Sequence, residues 1–249
     1  MRAMILAAGL GTRLRPLTND RPKALVEVGG RTMLEIALTR LRAFGIHEVI
    51  VNTHHHAQMV EDWLRLHAPV DMRVEISRED VLLDTGGGLK KAGWFLGEPG
   101  PDQSTPFLLH NVDVLSTIDF AQMVRVHRER GALATLAVQD RTTSRYLLFD
   151  RDGQLCGRRA GRDGSPEMIR AVADPLALAF AGLHVISPRI FSLLDEDGAF
   201  SIIPAYLRLA ARGERIAAFR ADEYYWRDLG RPDHVEQAAH EIAAGVYPW

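Results

Sequence analysis

Short apolar runs alternate with amphipathic segments over the first 140 residues, and this alternation limits the fold more than any other feature. The runs have the length of buried strands, and the segments between them carry apolar residues at helical spacing. The predicted strands are 3–9, 47–53, 72–77, 106–115 and 132–139, and the predicted helices are 33–44, 57–67, 88–96 and 120–130. Strands joined through helices form right-handed βαβ units, so we expect an α/β protein with a Rossmann-like, mostly parallel mixed sheet flanked by helices.

The pattern changes after residue 140, where short strands follow one another. Residues 144–157 contain two apolar runs around an Asp152-Gly153 turn, which is typical of a β-hairpin. The other predictions are a loop at 157–175, strands at 176–187, 215–221 and 224–229, and helices from Pro188, at 202–211 and at 233–244. This half therefore predicts a smaller, partly antiparallel part.

No linker, internal repeat or low-complexity tract divides the chain. We therefore predict a single domain over 1–249, within the size range of one large α/β domain. Its parts are 1–140, the partly antiparallel 141–230, and a C-terminal helix in 231–249.

Charge and composition exclude several classes of partner. The formal net charge is −2, so no basic surface for nucleic acid is indicated. No apolar run approaches the about 20 residues that cross a bilayer, and the N-terminal run is too short for a signal peptide. The single cysteine, Cys156, excludes an internal disulfide and is typical of a buried thiol in a reducing compartment. We expect a cytoplasmic protein that binds neither nucleic acid nor membrane.

The stretch LAAGLGTRLRPLTNDRPKALVEVGG, residues 6–30, combines glycines with cationic side chains directly after the first strand. A Gly-x-Gly turn at the carboxyl end of a strand leaves backbone N–H groups free to face a phosphate. Gly9 and Gly11 provide that turn, and Arg13 and Lys23 follow within reach of an anion. This stretch predicts a site for a phosphate-bearing ligand.

Two familiar phosphate sites are excluded by the same residues. A dinucleotide fingerprint requires a third glycine where Leu14 stands, and an acidic residue where the second strand ends in Asn52 and Thr53. A P-loop requires G-x-x-x-x-G-K-[ST], which the chain does not contain.

Two aspartates and a histidine run are candidates for metal binding. Asp113 and Asp228 each stand near the end of a predicted strand and could converge at one rim of the sheet, although each alone is more typical of a turn or cap. Residues 54–56 are three consecutive histidines, which cannot all point one way, so we expect a loop lining the ligand pocket rather than a zinc site.

The motif AAGLGTRLRPLTNDRPKALVEVGGRTMLE closely resembles the opening signature of the sugar-1-phosphate nucleotidyltransferases, also called nucleotide-sugar pyrophosphorylases. The resemblance continues through LLDTGGGLKKA, FLLHNVDVL, AFAGLHVIS and YWRDLGRPDHV, and so covers nearly the whole chain. It implies the nucleotide-diphospho-sugar transferase fold, with 1–140 as the nucleotide-binding part and 141–230 as the sugar-binding part. The implied reaction is attack of a sugar 1-phosphate on the α-phosphate of a nucleoside triphosphate, with release of pyrophosphate.

The resemblance also implies roles for individual residues. Arg13 and Lys23 are the expected catalytic cations, and Asp113 and Asp228 the expected ligands of Mg²⁺. The residues expected to bind the nucleotide are Ala8, Gly9, Gly11, Thr12, Asp84, Thr85, Gly87 and Asn111, and those expected to bind the sugar are Gly182 and Trp226.

The sequence departs from the family pattern at two places. Val112 replaces the usual glycine before the metal-binding aspartate, so the backbone there is expected to approach the nucleotide differently. The Glu-Lys-Pro segment that many relatives use around the sugar phosphate is absent. Arginines lie in that region, and one of them is a candidate replacement unless they are all solvated loop charges: Arg158, Arg159, Arg162 and Arg170.

The substrates stay open at this stage. Compact N-acetylmuramate-1-phosphate uridylyltransferases are the most similar members, guanylyltransferases for mannose or heptose 1-phosphate are the alternative, and a phosphocholine cytidylyltransferase is a further one. The partners are thus a nucleoside triphosphate, UTP or GTP, and a sugar 1-phosphate. A catalytically silent regulator of the same fold is the alternative from another class; it would be favoured by loss of the catalytic cations or aspartates, which are all present. The sequence carries no signature of an oligomeric state.

Overall fold

The computed structural model describes residues 1–97 and 105–247. Its strands are β1 (Arg2–Leu6), β2 (Glu27–Val28), β3 (Arg31–Thr32), β4 (Glu48–Thr53), β5 (Arg73–Arg78), β6 (Phe107–Asn111), β7 (Val114–Ser116), β8 (Ala134–Gln139), β9 (Arg145–Phe149), β10 (Leu155–Ala160), β11 (Glu167–Met168), β12 (Leu176–Ile186), β13 (Ile216–Arg220) and β14 (Trp226–Asp228). Its α-helices are α1 (Met33–Ala43), α2 (Ala57–His67), α3 (Asp84–Lys91), α4 (Gly93–Leu96), α5 (Phe120–Glu129), α6 (Ile202–Ala211) and α7 (Pro232–Ala243). Short 3₁₀ helices cover Thr12–Leu14, Lys23–Leu25 and Pro188–Ser192.

The first half of the chain forms a parallel layer. β1 lies between β4 and β6, and β5 adds to the far side of β4, all in parallel register. The inner strands β1, β4 and β6 are nearly continuous apolar runs because helices cover both faces of the layer, whereas β5 at the edge is more polar. Their carboxyl ends therefore meet at one rim, as the alternation of strands and helices predicts.

The long strand β12 joins this layer to the antiparallel part. Residues 183–186 of β12 pair with β6, whereas residues 176–179 pair with β9, so β12 leaves the parallel layer near its midpoint. β9 and β10 form the predicted hairpin, and β8 and β13 extend the sheet beside β12. The α/β fold class with a mixed sheet is confirmed, and the ten strands of this sheet come from both predicted parts.

Two apolar cores lie on opposite faces of the sheet. One packs α1 and α7 against alternate residues of β1, β4 and β12, and it includes Leu34, Leu38 and Leu183. The other packs α3, α4 and α6 against the remaining residues, including Phe107, Phe149 and Tyr206. No helix in the described ranges is both long and apolar enough to cross a membrane.

Several boundaries differ from the predictions. The helix predicted at 88–96 begins at Asp84 and breaks at Ala92. The strand predicted at 106–115 is interrupted by a turn at residues 112–113. The loop predicted at 157–175 contains the end of β10 and all of β11. Residues 157–160 pair with β9, and β11 pairs with β10 at residues 157–158. The helix predicted from Pro188 is a 3₁₀ helix.

Candidate active site

The glycine loop follows β1 at the rim of the parallel layer. Gly9 is exposed, and no described heavy atom lies within 4 Å of the position that a Cβ would take. Gly11 has φ +65°, and its carbonyl oxygen accepts hydrogen bonds from Leu14 N–H at 2.9 Å and from the Thr18 hydroxyl at 2.8 Å. Bare backbone with open space at Gly9 is the arrangement that an anionic ligand needs.

The loop packs directly on Lys23. A Cβ on Gly11 would lie 3.3 Å from Cβ of Lys23, which fixes the lysine beside the loop. The Lys23 ammonium forms an ion pair with the Asp113 carboxylate, and both side chains are about one-seventh exposed, at 15% and 13%. The structure thus unites two predicted site residues that are 90 positions apart.

Strand pairing brings the two predicted metal-binding aspartates to one place. β7 and β14 are antiparallel, with Asp228 opposite Val114. A backbone hydrogen bond joins the same two segments, since Leu229 N–H donates to the Asp113 carbonyl oxygen at 2.8 Å. Asp113 and Asp228 therefore lie on adjacent segments of the backbone at the rim.

Arg13 reaches the same place from the glycine loop. Asp228 Oδ1 accepts a hydrogen bond from Gly230 N–H at 2.7 Å. A methyl group on Gly230 would lie 2.7 Å from that oxygen and 2.9 Å from Nη2 of Arg13. Any side chain at position 230 would therefore disturb both charged groups.

Gly182 stands where β12 changes partner. Its φ is +76°, and a Cβ there would overlap Val114 and lie 2.9 Å from the Asn111 amide nitrogen. Gly182 and Asn111 are therefore in contact beside Asp113. Val112 does not face the rim: it is 3% exposed within the apolar core, so its side chain points away from this site.

Arg141 is a site residue that the sequence analysis missed. Its guanidinium carbon lies 3.7 Å from the ring centroid of Trp226, and Nη2 donates to the Phe180 carbonyl oxygen at 2.8 Å. Trp226 is held in turn by donation from its indole nitrogen to the Ala181 carbonyl at 2.8 Å. Burial lowers the pKa of Arg141, and the nearby Asp228 carboxylate opposes this. Arg141 Nε is buried with no hydrogen-bond partner in the described part of the chain.

The helix after β5 begins earlier than the glycines suggest. Asp84 has φ +59°, a left-handed conformation that is uncommon for a non-glycine residue. Its carboxylate accepts from Thr85 N–H at 2.6 Å. The Thr85 hydroxyl does not cap its own helix; it accepts from Ile202 N–H at 3.0 Å and so caps α6.

The glycines of α3 allow close packing on the segment before α6. Gly86 N–H and Gly87 N–H both donate to the Phe200 carbonyl oxygen, at 2.9 and 3.2 Å. A Cβ on Gly87 would overlap the carbonyl oxygen of Gly198. The Gly87 amide, expected to read the base, is thus buried and already hydrogen-bonded in this conformation.

Replacing Gly87 with alanine is expected to destabilise the protein by about 1–3 kcal/mol, because backbone must move to admit the methyl group. Chemical denaturation measures this change directly. Gly9→Ala is the matched control, since that position is open. Equal free energies of unfolding for Gly87→Ala and the wild type would contradict this packing.

A buried network, also missed from the sequence, ties the glycine loop to the segment before α3. The Asn52 side chain accepts from Ala7 N–H and donates to Glu79 Oε1, both at 2.7 Å. Glu79 Oε2 accepts from Leu83 N–H at 2.9 Å. Asn52 and Glu79 are each 2% exposed, and the hydrogen bonds offset the cost of burying them. The only signal in the sequence was the polar residue Asn52 near the end of the largely apolar strand β4.

The arginines and histidines that the sequence analysis singled out are not all at the rim. Arg170 forms an ion pair with Asp150, and Arg162 hydrogen-bonds the Tyr146 hydroxyl, which lowers the pKa of that phenol. His54 Nδ1 lies 2.9 Å from the Glu79 carbonyl oxygen. These contacts hold the side chains against the scaffold.

The rim has the donor set of a magnesium site. In residues 1–97 and 105–247, no group of three or more His, Cys, Asp or Glu is placed to hold a metal ion. Mg²⁺ does not need such a group, because it keeps several waters and binds through one or two carboxylates and substrate phosphates. Asp113 and Asp228, both partly exposed, fit that requirement.

This chain is similar to known proteins both in sequence and in fold. The Nucleotidyl transferase family model matches residues 2–159. The chain is 36% identical to N-acetylmuramate alpha-1-phosphate uridylyltransferase of Caulobacter vibrioides, over 97% of this chain and 96% of that protein. It is 29% identical to mannose-1-phosphate guanyltransferase of Yarrowia lipolytica over 93% of this chain, which spans 61% of that relative. HddC from Yersinia pseudotuberculosis, solved with GMP-PN, shares the fold with a TM-score of 0.75 and 21% identity, covering 97% of this chain and 99% of that one.

Proposed function

The chain belongs to the nucleotidyl transferase family, and we propose that it transfers a uridylyl group from UTP to N-acetylmuramate 1-phosphate. The reaction class follows from family membership: a sugar 1-phosphate nucleotidyltransferase forms a nucleotide sugar and pyrophosphate. The observation that carries the choice of substrates is the 36% identity to the uridylyltransferase over nearly the full length of both chains. GTP and mannose 1-phosphate are the second candidates, on the 29% identity to the guanyltransferase.

We propose that the cations at the rim do most of the catalytic work. Both substrates are polyanions, and phosphoryl-type transfer depends on positioning and charge neutralisation rather than on covalent chemistry by the protein. The backbone around Ala8, Gly9, Gly11 and Thr12 holds the triphosphate, Arg13 stabilises the departing pyrophosphate, and Lys23 contacts the α-phosphate. The attacking phosphate oxygen is already anionic, so no general base is required.

We propose Mg²⁺ as the cofactor, held by Asp113 and Asp228. When bound, the ion neutralises phosphate charge at the reacting centre. Lys23, already paired with Asp113, then has a phosphate oxygen as its alternative partner. If the Lys23 ammonium leaves the Asp113 carboxylate for a phosphate oxygen, it helps to position the α-phosphate, and the net charge of the protein's own groups at the site does not change.

On the acceptor side, we propose Arg141 as the cation that binds the phosphate of the sugar. Its guanidinium is held between the Trp226 ring and the Phe180 carbonyl, and Nε still lacks a partner within the described residues. Gly182 and Trp226 then border the sugar ring. This assignment supplies a cation for the sugar phosphate in a chain that lacks the Glu-Lys-Pro segment of many relatives.

For the base, we propose Asp84, Thr85 and Asn111 as the contacts. Asp84 is exposed and held in a left-handed conformation, which is the kind of strain that functional loops retain. The buried pair of Asn52 and Glu79 fixes this loop relative to the glycine loop.

Pyrophosphate release in the presence of Mg²⁺ tests the choice of substrates. UTP, GTP, CTP, ATP and dTTP are each combined with the 1-phosphates of N-acetylmuramate, N-acetylglucosamine, mannose and glucose. The proposal predicts the highest kcat/KM with UTP and N-acetylmuramate 1-phosphate. A higher value with GTP and mannose 1-phosphate would replace it by the second candidate.

Gly9→Ala separates stability from nucleotide binding. The methyl group meets no described atom within 4 Å and the backbone is not left-handed, so the free energy of unfolding should stay within about 0.5 kcal/mol of the wild type. The KM for the nucleoside triphosphate should rise at least tenfold if the triphosphate occupies that space. An unchanged KM would place the triphosphate elsewhere.

We also propose that the protein works in the cytoplasm, free of nucleic acid and membrane. Cys156 is buried, and burial raises the pKa of its thiol, so it is an inert side chain suited to a reducing compartment. Nucleoside triphosphates and sugar phosphates, the expected substrates, require no surface for a macromolecular partner.

A further inference from the structure

A cavity of about 560 Å³ lies between the β9–β10 hairpin and the start of α6. Its apolar lining includes Leu147, Phe180 and Ile203, and Ser201 contributes a hydroxyl. A space of this size with a largely apolar lining and few polar groups is typical of a small-molecule site.

The cavity adjoins the candidate active site on two sides. Phe180 belongs to its wall, and the carbonyl of that residue holds Arg141 beside Trp226. Ser201 follows Phe200, whose carbonyl holds the start of α3. The wall of this cavity is thus continuous with the proposed sugar strand at Phe180 and with the segment that holds the proposed base loop at Ser201.

The cavity wall carries an excess of positive charge. Three of its lining residues are arginines, Arg145, Arg158 and Arg159, against a single carboxylate, that of Glu167. Glu167 pairs with Nε of Arg158 at 2.6 Å, and no carboxylate within the described ranges forms an ion pair with Arg145 or Arg159. Unpaired arginines around an apolar space favour an anionic ligand, because the guanidinium fork matches a carboxylate.

Two of these arginines project from the same face of the hairpin. Arg145 pairs with Ala160, and Arg158 pairs with Leu147, so Arg145 and Arg158 are diagonal neighbours. Such neighbours stand about 7–8 Å apart, within reach of one another for long side chains. Both arginines line the cavity, as does Leu147 on the same face of the hairpin. A carboxylate placed between them can accept hydrogen bonds from both.

We propose that this cavity binds a carboxylate-bearing substituent of the sugar 1-phosphate, with Arg145 and Arg158 as its ligands. This inference rests on the proposed function and adds the residues that recognise the carboxylate of the acceptor sugar and the cavity in which they do so. Glu167 holds Arg158 by one nitrogen and leaves the other two guanidinium nitrogens to the substrate. The apolar lining then contacts the carbon skeleton of the substituent.

Two acceptors that differ by one acidic group provide the test. N-acetylmuramate 1-phosphate carries a lactyl carboxylate that N-acetylglucosamine 1-phosphate lacks. The wild type should show the higher kcat/KM with the acidic sugar. Arg145→Gln and Arg158→Gln should each lower kcat/KM for it by roughly 10- to 100-fold, the loss of one hydrogen-bonded charge pair, and leave the neutral sugar unaffected. Arg151→Gln, at the exposed turn of the same hairpin, is the matched control and should change neither value.

Binding gives a readout that does not depend on turnover. Calorimetric titration of N-acetylmuramate 1-phosphate should show a Kd raised in both variants by the same factor as kcat/KM falls. A Kd and a kcat/KM ratio unchanged by either substitution would overturn the inference. A wild-type preference for a neutral sugar 1-phosphate would overturn it too, while leaving nucleotidyl transfer intact. Loss of pyrophosphate release with every substrate pair would instead contradict the proposed function, and the Kd values would still decide the role of the two arginines.

Discussion

Replacing Asp113 with asparagine is expected to lower kcat for pyrophosphate release at least about 1,000-fold while the protein stays folded. A metal ion contributes several kcal/mol of transition-state stabilisation, and an amide replaces a charged ligand by a neutral one. The change keeps the side-chain volume and the backbone hydrogen bond from Leu229 to Asp113. Initial rates measured across a Mg²⁺ titration should show both a lower kcat and a higher Mg²⁺ requirement.

The matched control for this variant is Asp62→Asn. Asp62 is an exposed residue of α2 whose partner is Arg65, one turn away on the same helix. The Asp62→Asn variant should have the wild-type kcat and the wild-type dependence on Mg²⁺. An Asp113→Asn enzyme with wild-type kcat and Mg²⁺ dependence would remove Asp113 from the reacting centre.

Lys23→Met is expected to lower kcat by about 100- to 1,000-fold, the cost of removing one preorganised charge partner of a reacting group. The side chain lies between the glycine loop and Asp113, and its position is fixed by the close packing of Gly11. If the ammonium contacts the α-phosphate only as the bond forms, KM for the nucleotide should change much less than kcat. Steady-state kinetics with the sugar 1-phosphate saturating measures both parameters.

Stability distinguishes a structural role of Lys23 from a catalytic one. Removing the lysine leaves the mostly buried Asp113 carboxylate without its partner, which destabilises the fold. The double variant Lys23→Met, Asp113→Asn should recover stability, but it stays inactive in any case because Asp113 is itself a proposed metal ligand. A single variant Lys23→Met with wild-type kcat and a lowered free energy of unfolding would mean that Lys23 only balances charge. Arg125→Met, an exposed cation on α5, serves as the control for loss of a positive charge.

The periodicity of the sequence predicts the scaffold well, because burial on both faces of a parallel layer produces apolar runs such as those of β1 and β4. The places of Asp113 and Asp228 near strand ends make their convergence at one rim possible, and the family resemblance is what favours it over two separate turn or cap residues. The convergence depends on the short pairing of β7 with β14, which the predicted continuous strand 106–115 concealed. A turn at Val112 and Asp113 interrupts that strand and sets the first aspartate at the rim.

Residues whose role depends on tertiary contacts were not predictable. Arg141 lies in a segment of polar residues and becomes significant only when Trp226 stacks on it. Asn52 and Glu79 are separated by 27 positions and meet only because β4 and β5 are neighbours. The sequence predicts a helix that begins only at Gly88, since glycine disfavours helices, but α3 also includes Gly86 and Gly87 because packing against Phe200 offsets that preference.

The central claim, transfer of a nucleotidyl group to a sugar 1-phosphate at the rim, is tested most directly by following labelled phosphorus. UTP labelled at the α-phosphate, and separately at the γ-phosphate, is incubated with N-acetylmuramate 1-phosphate and Mg²⁺, with Asp113→Asn as the control. We expect the α-label to enter a sugar-containing product resistant to phosphatase and the γ-label to leave as pyrophosphate. Recovery of the α-label in UMP or UDP, or of the γ-label as orthophosphate in the absence of a pyrophosphatase, would contradict the central claim.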